Sequence, residues 1–522
     1  MGRDDPLKPC SILLAMVQTA FSAALLGLEA IPVRVEVAIR RGTPMIGIVG
    51  LAPSSARECR ERFRSAAAQL GLRVPGLRIT VNLAPADVRK EGAAFDLAVA
   101  VAVLAGAGHV PGARVSRWGF VGELGLDGTI RPVRGSLPIA LRFVRMKGLD
   151  GLIVPEANLG ETQAADRLRV LGAGSLGQVL GFLRGEAELT PPRRAPSRAA
   201  SPASPAYDFA DVSGQRTAKR ALEVAAAGGH NILLRGAPGV GKTMLARALP
   251  TILPPLTRDE ALEATAVHSV AGRLAPGTGL LVDRPFRAPH HTITGVGLVG
   301  GGVPVRPGEI SLAHHGVLFL DEITEFRPST LEALRQPLEE GVVSITRAGT
   351  QVRYPARFLL AAAMNPCGCG RLVEPDGSCT CDPARVRRHT VRLSAPFLDR
   401  IDMYVDVPSL DWSELRAGPG EPESPAMRCR VRVARARAAR RFGRSSSLNA
   451  HLSPRAIRDH CPLGHAADTM LRRGSSAFGL SARACHRILR VSRTIADLDE
   501  SASIEPQHVA EALQLRVRGR EP

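Results

Sequence analysis

A glycine-rich octapeptide near the middle of the chain has the residue types that bind nucleotide phosphates. Residues 236–243 read GAPGVGKT and match the pattern G-x-x-x-x-G-K-[ST] in full. Backbone N–H groups of such a loop curl around phosphate oxygens, the Lys242 side chain neutralises the β and γ charges, and the Thr243 hydroxyl reaches Mg²⁺. The motif predicts a site for ATP and Mg²⁺ formed by Gly236, Ala237, Pro238, Gly239, Val240, Gly241, Lys242 and Thr243.

Two adjacent acids follow an apolar run at residues 316–320 and could complete this site. Asp321, at the end of the predicted strand, would hold Mg²⁺, largely through water, and Glu322 would polarise the attacking water. Two exposed acids after a strand also occur in ordinary turns. Their position on a strand suited to the sheet of the P-loop favours catalysis.

Three further residues could act on the same nucleotide. Asn365 ends the next apolar run and could orient the attacking water, although Asn-Pro also starts turns. Arg400 lies in PFLDRID, and Arg483 lies at the start of an amphipathic helix. A lone arginine is usually a solvated side chain, but a ring ATPase uses one from the neighbouring subunit to neutralise transition-state charge.

Stretches rich in proline separate the elements that must position these residues. One linker spans residues 184–207 and a second spans 416–427, both without hydrophobic periodicity. They predict a multidomain α/β protein with a mixed α/β domain at 16–183, a parallel-sheet P-loop domain at 208–415 and a helical domain at 428–522. In the first domain, residues 33–39 and 77–83 predict strands, Ser54 predicts the cap of a helix ending near Gly71, and residues 93–107 predict a buried helix.

Composition limits the class of protein. The 522 residues include 68 basic and 49 acidic side chains, a net charge of +19, which favours a polyanionic partner. Residues 427–522 hold 19 arginines and 8 acids, so +11 of this net charge lies there. With 45% hydrophobic residues the chain is not disordered throughout, and no apolar run is long enough to span a membrane. The apolar run from Ile12 to Val17 after Lys8 resembles a secretory signal, but no small-x-small cleavage site ends it, so a cytoplasmic protein is predicted.

Four of the nine cysteines fall close together in the sequence. Cys367, Cys369, Cys379 and Cys381 form two C-x-C pairs, and four thiolates suit tetrahedral Zn²⁺. The usual spacing is C-x-x-C, so reduced free thiols and disulfides remain open alternatives.

Two histidine pairs and one hairpin are less specific signals. His290-His291 and His314-His315 lack the i, i+4 spacing of helix-borne metal ligands, which favours hydrogen-bonded loop residues. Residues 342–354 predict two strands joined at Ala348-Gly349, and Arg347 on this hairpin is either a phosphate contact or an ordinary exposed arginine.

The motifs together resemble a known family from about Val17 to Arg518. The chain is similar to the YifB/ComM family of magnesium-chelatase-like AAA+ ATPases, and the segments that carry the likeness to its ATPase and lid are GAPGVGKT, FRAPHHTITGVGLVGGGVPVRPGEISLAHHGVLFLDE, LEALRQPLEEGVVSITRA, MNPCGCG, SAPFLDRID and SARACHRILRVSRTIADLD. VNLAPADVRKEGAAFDLAVA, GELGLDGTIRPVRG and LIVPEAN resemble its first domain.

The resemblance implies a cytoplasmic hexameric ATPase whose first domain has the Lon-protease or ribosomal S5 domain 2-like fold. It also implies a DNA helicase of natural transformation that drives branch migration on single-stranded or branched DNA. By the same resemblance Asp321 and Glu322 are Walker B, Asn365 is sensor 1, Arg400 is the arginine finger and Arg483 is sensor 2.

Two departures from the family pattern matter. Residues 1–15 precede the usual start, so they are interpreted as an upstream start-site extension. Ala94 and Leu137 stand where a Lon-type peptidase would have its serine and lysine, so the first domain is predicted to be a binding or assembly module and not a peptidase.

Three functions therefore compete. The first is a ring motor that moves DNA strands, and the second is a chelatase-like or chaperone-like remodeller of a protein or porphyrin complex. The third is an ATPase regulator that does not translocate. The domain order disfavours magnesium chelatase proper, because its motor subunit lacks the Lon-like first domain.

Overall fold

The computed structural model describes residues 17–191, 207–347, 350–372, 379–410, 416, 420–443 and 448–516. Their contacts form two compact units. The first comprises the described residues up to 191 together with 268–280, and the second comprises 207–267 and the described residues from 281 onward. The predicted extension at 1–15 lies outside the described residues, and the predicted domain boundaries stay predictions.

A seven-stranded mixed sheet forms the first unit, in the order β3-β4-β2-β1-β5-β8-β9. Antiparallel pairs join β1 to β2 and β2 to β4, and parallel pairs join the others. Its strands, with the small β6–β7 ribbon, are β1 Gln18–Leu26, β2 Glu29–Arg40, β3 Met45–Val49, β4 Arg78–Ala84, β5 Trp118–Phe120, β6 Glu123–Leu124, β7 Ile130–Arg131, β8 Gly151–Pro155 and β9 Val170–Ala173.

Helices cover this sheet, and one of them is almost entirely enclosed. They are α1 Pro53–Gln69, α2 Asp96–Gly106, α3 Gly112–Val115, α4 Ser136–Phe143, α5 Leu159–Thr162 and α6 Leu176–Arg184. Helix α2 is buried from Asp96 to Ala105, as its Ala, Val and Leu composition predicts. Asp96 is tolerated inside because Arg62 donates two hydrogen bonds to its carboxylate, at 2.5 and 3.1 Å.

The predicted serine cap of α1 is wrong. The helix begins one residue earlier, at Pro53, after Ala52, and no side chain caps it. Proline is well suited to the first helical position because that position needs no backbone donor.

A five-stranded parallel sheet forms the centre of the second unit, in the order β11-β14-β17-β10-β18. Its strands are β10 Ile232–Arg235, β11 Phe286–Arg287, β14 Val317–Leu320, β17 Leu359–Met364 and β18 Met403–Asp406, and the two-stranded ribbons are β12 Gly300–Gly301 with β13 Arg306–Pro307 and β15 Val342–Arg347 with β16 Thr350–Pro355. The parallel α/β fold predicted for this region is confirmed.

Both faces of this sheet are covered, so its strands are apolar throughout. Along β17, Leu359, Ala361 and Ala363 join the core on one face, and the alternate residues join the core on the other. Because the strands are parallel, their carboxyl ends meet at one edge, where the P-loop and the acidic pair both emerge.

The helices of this unit range from 4 to 19 residues, and one of them ends with residues 268–271, which belong to the first unit. They are α7 Arg216–Gly228, α8 Lys242–Ile252, α9 Arg258–Ala271, α10 Gly295–Val299, α11 Glu309–Leu312, α12 Pro328–Glu332, α13 Arg335–Glu340, α14 Pro383–Thr390, α15 Ala395–Leu398, α16 Ser424–Phe442, α17 Pro454–His460, α18 His465–Phe478, α19 Ala482–Leu498 and α20 Pro506–Gln514. Helix α16 begins inside the second predicted linker, with Pro425 in its first turn.

The carboxyl-terminal helices share a hydrophobic core with the sheet. Val431, Ile488 and Val509 belong to the same buried cluster as Ile232 and Leu234 of β10. No helix in the described part of the chain is long and apolar enough to cross a membrane.

Candidate nucleotide-binding site

The P-loop connects β10 to α8 and has the backbone geometry that its glycines permit. Gly239 and Gly241 have φ angles of 84° and 93°, a region that side-chain-bearing residues rarely adopt. At Gly236 a β-carbon would lie 2.2 Å from the Val407 carbonyl oxygen, so only glycine fits there. The Gly236 amide donates to the Met364 carbonyl at 3.2 Å, which ties the loop to the end of β17.

Lys242 points back into the loop. Its ammonium group donates to the carbonyl oxygens of Gly236 and Ala237, both at 2.7 Å, and to Asn365 Oδ1 at 3.2 Å. Burial lowers its pKa, and the negative charges of Asp321 and Glu322 oppose that shift. A cation held at the mouth of a loop of backbone amides is suited to a triphosphate.

Thr243 and Asp321 bring two oxygen ligands together. The Thr243 hydroxyl donates to Asp321 Oδ2 at 2.7 Å. Asp321 follows β14, which lies one strand away from β10, because β17 runs between them. Hydroxyl and carboxylate oxygens are the ligands that Mg²⁺ prefers, so this donor set fits the predicted ion.

Glu322 is next to this pair but faces the solvent. Its side chain is 58% exposed, and its Oε2 lies 3.7 Å from Nδ1 of His291. Glu322 also has a φ of 48°, a strained backbone conformation for a residue other than glycine. The motifs assigned no role to His291, and only the folded chain brings it to Glu322.

Asn365 lies between the two loops because β17 is the middle strand. Besides the side-chain contact with Lys242, its backbone carbonyl accepts a hydrogen bond from Nε2 of His389 at 2.9 Å. The structure therefore brings Asn365, Lys242, Thr243, Asp321 and Glu322 to one edge of the sheet.

Arg400 lies elsewhere. Its backbone carbonyl accepts a hydrogen bond from Asn231, which precedes β10, so Arg400 is at the amino-terminal edge of the sheet, opposite the P-loop. The guanidinium is 10% exposed and contacts Glu339 and the Pro396 carbonyl. It is not positioned to contact a nucleotide on its own subunit.

Arg483 is exposed in the first turn of α19. Among the described residues it has no hydrogen bond or ion pair, and the structure does not bring it to the P-loop. Its predicted role as sensor 2 stays a prediction.

The four clustered cysteines converge in space. Their sulfur atoms all lie within 4.8 Å of one another, with separations of 3.3 Å between Cys367 and Cys369, 3.7 Å between Cys367 and Cys379 and 3.6 Å between Cys369 and Cys379. All four are free thiols, so the structure holds none of the disulfides that were left open. The backbone N–H of Arg371 lowers the pKa of Cys369, which favours its thiolate.

Of the paired histidines, His290, His314 and His315 are hydrogen-bonded, as predicted. Glu263 Oε2 contacts Nε2 of His314 at 3.0 Å and Nε2 of His315 at 2.8 Å. Nδ1 of His314 accepts the Arg357 backbone N–H, so its Nε2 carries the proton and cannot ligate a metal in this arrangement. His290 forms a hydrogen bond with Thr292, and its ring lies against the ring of His291, with centroids 4.0 Å apart and the planes tilted by 34°.

The predicted hairpin is present as β15 and β16, and the predicted turn at Ala348-Gly349 lies outside the described residues. Arg347 at the end of β15 is exposed and donates to the Gly302 carbonyl at 3.3 Å.

Comparison with known families gives three consecutive matches. Residues 35–158 match the model for subunit ChlI of Mg-chelatase, residues 208–415 match the model for magnesium chelatase subunit ChlI, and residues 421–516 match the model for its carboxyl-terminal part. The site described above lies in the second of these segments.

Full-length relatives extend the likeness along nearly the whole chain. A protein designated YifB from Escherichia coli (strain K12) is 42% identical over 94% of this chain and 96% of the relative. The competence protein ComM of Haemophilus influenzae is 40% identical over 95% and 96%. The magnesium-chelatase 38 kDa subunit of Rhodobacter capsulatus is 28% identical over 33% of this chain and 54% of the relative.

Proposed function

Since the chain belongs to the YifB/ComM family of magnesium-chelatase-like AAA+ ATPases, we propose that it is an ATP-hydrolysing ring motor that acts on DNA. The observation that carries the ATPase part is the meeting of Lys242, Thr243, Asp321 and Asn365 at one sheet edge. ATP hydrolysis by such a site is almost entirely positioning and charge stabilisation, which these side chains can supply.

Each residue has one proposed task. Gly236–Thr243 bind the phosphates, with Lys242 exchanging carbonyl contacts for phosphate oxygens, and Thr243 and Asp321 hold Mg²⁺. Glu322 orients and polarises the attacking water, and Asn365 fixes its position from β17. Arg400 is proposed as the finger that acts on a neighbouring subunit, and Arg483 as sensor 2. The ATP-bound Mg²⁺ supplies charge neutralisation of the phosphates.

The DNA part rests on different observations. ComM is named as a competence protein, and Arg347 is exposed at the end of a hairpin within the ATPase unit. An arginine on such a hairpin can contact phosphates in a channel. We therefore propose a homo-hexamer in the cytoplasm that moves single-stranded or branched DNA, as in branch migration during natural transformation.

The direct test is the ATPase rate of the full chain with and without single-stranded and branched DNA at several salt concentrations. Phosphate contacts predict stimulation that weakens steeply with salt. Arg347→Ala should weaken DNA binding and reduce the salt slope by about one. The control is Arg472→Ala on α18, where the arginine is 80% exposed and pairs with Asp468. Absence of both stimulation and DNA binding at low salt would reject the motor.

A chelatase-like remodeller is the second candidate, because the magnesium-chelatase subunit of Rhodobacter capsulatus shares part of this chain. It predicts ATP turnover that DNA does not change and that a protein client stimulates. The same assay therefore separates the two proposals.

The proposed cofactors are ATP, Mg²⁺ and one Zn²⁺ at Cys367, Cys369, Cys379 and Cys381. Tetrahedral zinc with bonds of about 2.3 Å to sulfur places the sulfur atoms about 3.8 Å apart. The three separations among Cys367, Cys369 and Cys379, 3.3 to 3.7 Å, are close to that value, and the sulfur of Cys381 lies within 4.8 Å of the other three.

A further inference from the structure

The loop that carries the four cysteines lies directly against the P-loop. Gly370, between Cys369 and Arg371, has a φ of 80°, and a β-carbon there would lie 2.7 Å from Pro238 Cδ and 3.4 Å from Ala237 Cα. The Gly370 amide donates to the Cys367 carbonyl at 3.1 Å, so the contact is built into the turn of the first cysteine pair.

Both ends of the same loop are anchored close to the end of β17. Cys367 follows Asn365 by two residues, and Cys381 is followed by Asp382, whose side chain caps α14. His389 on that helix donates to the Asn365 carbonyl. Among the described residues, Gly370 near the start of the loop lies against the P-loop, and His389 beyond its end contacts the residue that follows β17.

We propose that a tetrathiolate zinc at Cys367, Cys369, Cys379 and Cys381 is a brace that holds the P-loop in its nucleotide-binding shape through the contact between Gly370 and Pro238. The proposal rests on the proposed ATPase function only where it concerns ATP affinity. The four sulfur atoms already lie within 4.8 Å of one another, and a divalent cation at their centre would bind all four as thiolates.

The brace explains why a metal would matter here. The P-loop has few side chains to stiffen it, since three of its eight residues are glycine. Zinc joins the two cysteine pairs and so holds Gly370 against Pro238. The backbone N–H groups of residues 236–243 then keep the arrangement that binds phosphate. Loss of zinc releases that contact without removing any residue that binds the nucleotide.

The first experiment measures the metal in the full chain purified without chelator. We expect about one zinc per chain, and the double variant C369S/C379S should lose it. The control is Cys429→Ser, since that cysteine is exposed and outside the cluster. Cobalt exchanged into the wild type should show the absorption of tetrahedral thiolate cobalt. Less than about 0.2 zinc per chain, or full zinc in the double variant, overturns the proposal.

The second experiment uses Gly370→Ala, which keeps all four thiols. Zinc should stay bound while the Kd for a fluorescent ATP analogue rises about tenfold, because the methyl group pushes on Pro238. Gly479→Ala is the matched control, since Gly479 also has a positive φ, 58°, but nothing lies within 4 Å of its β-carbon position. Equal affinity in Gly370→Ala and wild type rejects the brace.

A third readout needs no nucleotide. Amide hydrogen exchange in residues 236–243 should become faster when zinc is stripped from the wild type and should not differ between Cys429→Ser and wild type. Unchanged exchange after stripping rejects the brace even when zinc binds. If the wild type binds zinc and shows this protection but binds no ATP, the proposed ATPase function fails and the brace stands.

Discussion

At the scale of single residues, Glu322 and its neighbour Asp321 have separable tasks. Asp321 accepts a hydrogen bond from Thr243, whereas the Glu322 side chain is exposed and can contact a water molecule. Glu322→Gln should therefore keep ATP binding and lower kcat by about 10²- to 10⁴-fold, the usual contribution of a general base.

The check is steady-state ATPase kinetics beside equilibrium ATP binding. Glu325→Gln is a suitable control, because Glu325 is three residues away, is 47% exposed and pairs with Arg392 at 3.0 Å. Normal turnover in Glu322→Gln would show that the catalytic assignment is wrong.

His291 lies beside Glu322, and we expect it to act as a positioning residue. Its Nδ1 lies 3.7 Å from the Glu322 carboxylate, so the imidazole ring can orient that side chain. The backbone of Glu322 is strained, with a φ of 48°. His291→Ala should lower kcat by about tenfold with little change in KM, because nucleotide binding uses other groups.

His291→Asn should recover part of the loss by restoring a polar partner. His290→Ala tests whether the ring contact alone matters, since the two rings are 4.0 Å apart. A rise in KM with unchanged kcat in His291→Ala would contradict the positioning role.

At the scale of elements, the sequence predicts a strand or loop correctly where its conformation depends on residues that are neighbours in the chain. Residues 236–243 form a motif whose geometry depends on neighbours in the chain, and apolar runs predicted β10, β14 and β17. The partner of Glu322 could not be predicted, because His291 is 31 positions earlier in the chain and reaches it only after β11 and β14 pair. The contact of Gly370 with Pro238 depends on β17 pairing with β10 in the same way.

A buried histidine makes the packing of α9 against the start of β14 sensitive to acid. Burial lowers the pKa of His314 from 6.5 to about 4, and the hydrogen bonds from His314 and His315 lower the pKa of Glu263. The folded chain therefore binds fewer protons than the unfolded chain between these values, and stability present above pH 6.5 is lost as the pH falls towards 4.

Between pH 7 and pH 5 the His314 contribution amounts to about 2 kcal/mol. Hydrogen exchange of the β14 amides, measured as a free energy of opening at both pH values, provides the test. His314→Gln keeps a donor towards Glu263 but cannot titrate, so it should show a smaller pH dependence. An unchanged pH dependence in that variant would exclude His314 as its source.

At the scale of the whole molecule, several arginines have a structural use. Arginines of the carboxyl-terminal helices pair with acids in the same unit, as Arg441 does with Asp497, Arg487 with Asp402 and Arg430 with Glu223. These ion pairs join the carboxyl-terminal helices to one another and to the part of the unit that contains the sheet. Each such pair adds nothing to the net charge of +19, so this pairing does not account for the excess, which still favours a polyanionic partner.

The position of Arg400 predicts that one subunit completes the site of another. Because it lies at the sheet edge opposite its own P-loop, it can reach a nucleotide only on a neighbouring subunit, after leaving Glu339. Arg400→Ala should lower kcat by about 10³-fold or more, and Lys242→Ala should abolish turnover.

Mixing the two inactive variants tests this directly. In mixed rings an intact Lys242 of one subunit meets an intact Arg400 of the next at about a quarter of the sites, so about a quarter of wild-type activity should return. Glu339→Gln removes the ion-pair partner of Arg400 but keeps the arginine, so this variant should stay active. It is the control that shows whether loss of the ion pair alone lowers the ATPase rate. If the mixture is as inactive as its parts although mass measurements show mixed rings, Arg400 does not act between subunits.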